Sequence, residues 1–152
     1  MANDAQAKAP RPSETEAASA VDRVLATLKS GMPDRQGRHV LIRALLAPAD
    51  AATLDAFKTS ELVALVDHAM AFLQEKPVGA PKVAVRRLSG DAAVLEILNQ
   101  DMPFLLDSVF GELHARGLAI GLVLHPLIKI ERTADCKLVR IAGAGDRQWS
   151  DG

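Results

Sequence analysis

The stretch NQDMPFLLDSVFGELHARGLAIGLVLH, from Asn99 to His125, decides how the chain is read. Pro103 suits the first turn of a helix, where its missing N–H has no intrahelical partner to lose. Asp101 lies just ahead of it and is placed to cap the free amides. Leu106, Val109, Phe110 and Leu113 then recur at i, i+3, i+4 and i+7, the spacing of one helical stripe. Gly117 follows Arg116 and suits the left-handed position that closes a helix. Beyond it, Ile120, Leu122 and Leu124 share one face of a strand, with Pro126 as a stop. The spacing therefore predicts a β–turn–α–β unit, with a helix over 102–116 and a strand over 119–130. Its helix must pack on a sheet. If Leu106, Val109 and Leu113 face that sheet, each change to alanine costs about 2–5 kcal/mol.

Outward from this unit, the flanking segments also read as strands. Val83–Leu88 and Ala93–Asn99 are joined by the turn Ser89-Gly90-Asp91, which predicts a hairpin. Thr133–Asp135 turns the chain again, and Lys137–Ala142 reads as a strand antiparallel to its predecessor. Pro77, Gly79 and Pro81 mark the clearest boundary in the chain. Ahead of it the pattern is helical. Ser13 and Glu16 have the spacing of a capping box, followed by a helix over 14–30 with Val21, Val24, Leu25 and Leu28 as its stripe. Gly31 and Pro33 end it. A second helix is expected over 36–46, carrying Val40, Leu41, Leu45 and Leu46 and broken by Pro48. Asp50 caps a short helical turn reaching Phe57. Ser60 caps a helix over 61–75, with Leu62, Leu65, Val66, Ala69 and Leu73 in line.

Composition narrows the function classes. With 152 residues and 49% hydrophobic content the chain can build a modest core. Aromatics make up 3% and tyrosine is absent, which argues against a base-stacking nucleic-acid surface. A net charge of −1 gives no field to recruit a polyanion. Cys136 is the only cysteine, so no intrachain disulfide forms, which fits a reducing cytosol. No apolar run reaches the roughly 18–20 residues that cross a bilayer, and no signal pattern opens the chain. A cytoplasmic protein with no membrane or nucleic-acid partner is expected.

The run DMPFLLDSV, then a short helix, a glycine and a strand ending LVLHP, resembles the N-terminal region of the large NAD-dependent glutamate dehydrogenases. Gln100 stands where the family pattern has an acid, and Leu106 where valine is commoner. The wider pattern resembles an ACT domain, a small regulatory module that often binds amino acids. The resemblance is sharpest over Asn99–Pro126 and weaker over Asp34–Arg140. It implies an α+β fold: a helical N-terminal segment over 13–76, then an incomplete ACT-like (ferredoxin-like) antiparallel sheet with one packed helix over 82–143. A mobile tail over 1–12 and an irregular one over 144–152 complete the division. An ACT-like βαββαβ unit needs one more helix and strand after about residue 143, so the chain is expected to be the front piece of a longer one.

The resemblance also implies a non-catalytic assembly or regulatory segment of an enzyme that oxidises glutamate to 2-oxoglutarate and ammonium with NAD. The chain alone is then inactive. NAD belongs to the parent enzyme, and no cofactor is expected here. Its partners are the rest of the dehydrogenase chain or further copies of itself. The alternative is a stand-alone ACT-like amino-acid-sensing module, its sheet completed by a partner or by dimerisation. An RNA-binding ferredoxin-like domain is the weakest choice, because Val83–Leu88 and Ala93–Asn99 carry no aromatics.

Few residues offer chemistry. His39, His68, His114 and His125 lie on four elements without a metal-ligand partner at helical spacing. His125 precedes Pro126 as in the family pattern, and its bland role is a hydrogen bond at a strand end. Asp101 and Asp107 are six residues apart, too far along a helix to work as an acid/base pair. Asp107 suits the helix dipole, and Ser108 lacks the glycines of a nucleophile elbow. Gly143-Ala144-Gly145 has Gln148 where a third dinucleotide-binding glycine would fall. Lys82, Arg86 and Arg87 read as a solvated basic face. The remaining candidate is the turn of Asn99, Asp101, Met102 and Phe104. Free amides there favour a ligand carboxylate, and Asp101 could meet its ammonium. No catalytic, cofactor-binding or metal-ligating residue is expected.

Overall fold

The computed structural model describes residues 20–142. The capping box at Ser13–Glu16, the Gly143–Gly145 turn and both tails lie outside the described residues. The elements are α1 (20–25), α2 (Arg35–Leu46), α3 (Ala51–Asp55), α4 (Thr59–Leu73), β1 (Lys82–Arg87), β2 (Ala93–Leu98), α5 (Leu105–Ala115), β3 (Lys129–Arg132) and β4 (Leu138–Ala142). The fold class is α+β, consistent with an ACT-like domain.

The helices sit close to where periodicity puts them, and local hydrogen bonds move their ends. α1 stops at residue 25, five residues short of expectation. There the amides of Thr27 and Leu28 donate three residues back, to Val24 and Leu25, and the chain tightens out of the α form. Asp50 caps α3 as expected: its Oδ2 accepts from the Thr53 amide at 2.8 Å and the Thr53 hydroxyl at 2.7 Å. Ser60 does not cap α4. The helix starts at Thr59, and the Glu61 carboxylate reaches back to accept from the Lys58 amide at 2.7 Å. An acid in the first turn also meets the positive end of the helix dipole.

The core lies among these helices. Val24, Leu41, Ile42, Leu46, Leu54 and Leu62 are its largest fully buried side chains. Val66, Met70 and Leu73 extend it along α4. One strand joins them: Ile141 of β4 is 3% exposed and belongs to the same cluster. The cluster thus runs across the Pro77–Pro81 boundary that the sequence marks.

The strands form two antiparallel ladders. β1 and β2 pair from Lys82↔Leu98 to Arg87↔Ala93, the hairpin the sequence predicts. β3 and β4 pair from Lys129↔Ala142 to Arg132↔Leu138, with a register shift between Glu131 and Arg132. Of the strand expected over 119–130, only Lys129 and Ile130 enter a ladder, which runs on to Arg132.

The central helix also departs from expectation. α5 begins at Leu105, three residues late, because Phe104 adopts φ 63° and ψ 4° and breaks the helical path. Asp101 therefore lies outside the helix end and caps nothing, and Pro103 sits in the preceding turn. At the other end Gly117 takes φ 68° as expected. Its amide donates to His114 O at 2.9 Å and that of Leu118 to Leu113 O at 3.0 Å, the paired bonds of a Schellman motif. Leu106, Val109, Phe110 and Leu113 form one half-buried stripe, and no residue of α5 is fully buried.

Candidate functional site

Two places gather polar groups from separate parts of the chain. The first is the C-terminal end of α4, where backbone carbonyls lack intrahelical donors and carry the negative end of the dipole. Cations from both ladders meet them. Lys82 Nζ, at the start of β1, donates to Phe72 O at 2.7 Å and Glu75 O at 3.0 Å. It also lies 4.6 Å from the centre of the Phe72 ring, within cation–π range. Arg132 Nη1, at the end of β3, donates to Cys136 O at 3.0 Å and Gln74 O at 3.4 Å. Backbone bonds complete the seam: Leu138 N to Gln74 O at 2.8 Å, Lys76 N to Cys136 O at 3.4 Å, and a bridge between Glu75 and Lys137. Cys136 is bent to φ 62° to make this turn.

This seam corrects the expectation of a solvated basic cluster. Lys82 is drawn onto α4, Arg86 lies on the half-buried face of β1, and Arg87 is exposed. Arg86 Nε and Arg132 Nη2 are buried without a hydrogen-bond acceptor. Sequence reasoning missed Arg132 altogether. It lies 58 residues from Gln74, and no local pattern encodes such a contact.

The second place is the turn ahead of α5. Asn99 is half-buried, and its amide donates to Met102 Sδ at 3.2 Å. Asp101, Met102 and Phe104 are exposed, Phe104 by 78%. The structure thus brings Asn99 and Met102 together and leaves the Asp101 carboxylate without a hydrogen-bond partner among the described residues. The left-handed Phe104 replaces a side-chain cap, so the first amides of α5 face outward.

Elsewhere, a cleft of about 350 Å³ between the start of α2 and α4 is crossed by the Arg38–Asp67 ion pair. His68, His114 and His125 are exposed and His39 is half-buried. Among the described residues, no three His, Cys, Asp or Glu side chains converge as a metal site would require. At the start of α3, bonds from the Thr53 hydroxyl and amide hold the Asp50 carboxyl below the ordinary carboxylate value.

With that geometry in place, comparison with known families decides the chain's kinship. The model of the family described as "Glutamate dehydrogenase, ACT1 domain" matches residues 41–151. The chain belongs to this family. The match starts inside α2 and runs past β4, so it takes in α3, α4, the seam, both ladders and the turn at 99–104. The stretch that carries the resemblance, Asn99–His125, lies within it. This ACT1 domain is thus an N-terminal region of glutamate dehydrogenase. No solved structure matches the chain.

Proposed function

We propose that this chain is the non-catalytic front segment of an NAD-dependent glutamate dehydrogenase and serves that enzyme's assembly or its response to amino acids. The parent reaction oxidises glutamate to 2-oxoglutarate and ammonium while NAD is reduced to NADH. The observation that carries this reading is the family match from residue 41 to residue 151. NAD would bind the remainder of the parent chain. The partners are that remainder or further copies of the same polypeptide, in the cytoplasm. Among the described residues no helix is long and apolar enough to cross a membrane.

A regulatory role would use the turn of Asn99, Asp101, Met102 and Phe104. An amino-acid effector would place its ammonium against the Asp101 carboxylate and its carboxylate at the outward amides of α5. Coupling to the parent site would further require that the effector bind two states of the enzyme with different affinity.

The experiment is to isolate the native protein with an antibody raised against residues 99–125, read its mass, and assay it with glutamate and NAD. A species far above 16.2 kDa that reduces NAD supports the proposal. A species of 16.2 kDa without that activity overturns it and favours a stand-alone amino-acid-sensing module. Titration of the same material with amino acids then tests the turn, with Asp101→Asn expected to weaken binding.

A further inference from the structure

The two ladders turn opposite kinds of surface outward. In β3 the exposed positions are Lys129 and Glu131, while Ile130 packs against the core that Ile141 of β4 enters. In β1–β2 the order is inverted. Lys82, Arg86 and Glu96 take half-buried positions, and Val83, Val85, Leu95 and Ile97 are exposed, Val85 by 70%. The register sets Val83 across from Ile97 and Val85 across from Leu95, so the four form one contiguous apolar square. On the inner side Arg86 Nε is buried without an acceptor. A strand pair that keeps a guanidinium half-buried and shows its valines to water marks an interaction surface.

The two ends of this square carry charges of opposite sign. Arg87, across from Ala93 at the turn end of the ladder, is exposed. Asp101, three residues past β2 at the other end, is exposed as well. Neither side chain makes a hydrogen bond or ion pair among the described residues.

We propose that the outer face of β1–β2 docks on the same face of a second copy of this chain. Two such faces meet about a two-fold axis lying in the plane between them, so the contact is isologous. That axis has two possible orientations. Along the strands, it sets Arg87 on Arg87, Asp101 on Asp101 and the turn residue Asp91 on Asp91. Across the strands, it reverses their direction and brings Arg87 of each copy toward Asp101 of the other. Electrostatic complementarity selects the second. Val83 and Ile97 of one copy then lie over Val85 and Leu95 of its partner, at the roughly 10 Å spacing of stacked sheets. The row of Arg87 and Ala93 falls over Asn99, two residues short of Asp101.

The size of the patch sets the strength of the contact. Strands of six residues run roughly 20 Å and two side by side cover roughly 10 Å, a footprint of about 200 Å². Exposed Met102 and Phe104 follow Asp101 and enlarge it at that end. A stable dimer needs about 800 Å² per partner. The pairing is therefore weak, half formed at roughly 100 µM chain, and firmer wherever other contacts hold two copies together. This deepens the assembly part of the reading above and rests on it only for its setting. Mass and NAD reduction of the native protein test that reading, whereas self-association of the 152-residue chain tests this one.

The experiment is sedimentation of the full chain from about 5 to about 500 µM. The mass is expected to rise from 16.2 kDa toward twice that value. A chain that stays at 16.2 kDa throughout overturns the proposal. Val85→Lys sets like charges together across the two-fold contact and should weaken association about tenfold or more. Its site is largely exposed, so thermal unfolding at low concentration should be unchanged. Val139→Lys, exposed on β4, should leave association as it was. Association that survives Val85→Lys, or that Val139→Lys also abolishes, overturns the surface. Arg87→Glu and Asp101→Lys should each weaken the dimer several-fold, and the double variant should restore it. Single variants without effect, or a double variant without recovery, overturn the crosswise pairing.

Discussion

Leu62 and Leu106 occupy equivalent positions, each in the apolar stripe of an amphipathic helix, yet their surroundings differ. Leu62 of α4 is 0% exposed and belongs to the hydrophobic core cluster. Leu106 of α5 is half-buried and belongs to no core cluster. Both stripes are legible at period 3.6, so the pattern states only that a face wants to be covered. What covers it depends on contacts far along the chain. The helical core meets that demand within residues 20–73 and borrows one strand. Over the arm from 99 to 128, α5 keeps its stripe half-buried and outside that core.

The sharpest way to break this comparison is to truncate both residues and follow urea unfolding. Leu62→Ala should cost about 2–5 kcal/mol, because a fully enclosed side chain leaves a cavity. Leu106→Ala should cost about 2 kcal/mol, the low end of that range, since a half-buried side chain has less surface to lose and leaves a smaller cavity. A loss below about 0.5 kcal/mol at each of Leu106, Val109 and Leu113 would show that the half-buried stripe of α5 adds no packing to the fold.

The seam at the end of α4 ranks next. Lys82→Met keeps the aliphatic stem against Phe72 and removes the ammonium from two carbonyls. Arg132→Met does the same from the other ladder. Charged donors to buried or half-buried acceptors are worth about 1.5–3 kcal/mol, and water reaches this seam, so about 1–2 kcal/mol is expected for each in thermal unfolding. The two donors share the carbonyl end of one helix. The double variant should therefore lose less than the sum of the singles. Full additivity would mean that each ladder is held independently.

These positions also mark how far the sequence could be read. The features it showed are local. Asp50 ahead of Thr53, Gly117 after Arg116, the Ser89-Gly90-Asp91 hairpin and the stripes of α2 and α4 depend on neighbours within a few residues. Phe104 in the left-handed region escaped, since bulky residues rarely adopt it and Pro103 pointed to an earlier helix start. The burial of Ile141 among helices and the reach of Arg132 to Gln74 escaped for another reason: partners 50 or more residues away leave no period to detect. Lys82 meets Phe72 and Glu75 only 10 and 7 residues back, but across the Pro77–Pro81 turn, where no regular spacing relates them. At the candidate turn, the grouping of Asn99 with Met102 was legible as a turn, while the expected cap by Asp101 was not realised.

Two glycines within the arm should respond with opposite sign. Gly117 holds φ 68° in the Schellman motif, where a Cβ strains the backbone. Gly117→Ala should lose about 1 kcal/mol. Gly111 lies inside α5 with helical φ, and a Cβ there meets nothing within 4 Å. Gly111→Ala should gain about 0.5–1 kcal/mol from reduced chain entropy in the unfolded state. Both are read as shifts in urea midpoint at constant slope. If Gly111→Ala brings no gain while Gly117→Ala has its full effect, the middle of α5 lies under a neighbour.

The smallest effect belongs to Asp50, and it titrates. Its carboxylate accepts two bonds from Thr53 and is held below the ordinary value, so the folded state binds its proton less readily than the unfolded chain does. A depressed folded value means that the contribution is complete above the unfolded value, declines as pH falls toward the folded one, and is absent below both. Asp50→Asn retains an acceptor for the Thr53 amide and removes the proton, so its melting temperature should lack this acid-side decline while staying near wild type at neutral pH. Asp50→Ala should be less stable than Asp50→Asn across the range, because the start of α3 is then uncapped. Because Leu54 of that short helix is buried in the core, fraying at its first turn should be felt by the helices and not by the arm. Hydrogen exchange at 51–57 should rise in Asp50→Ala while exchange at 105–128 is unchanged. Equal acceleration in both regions would show that the core and the arm unfold as one unit.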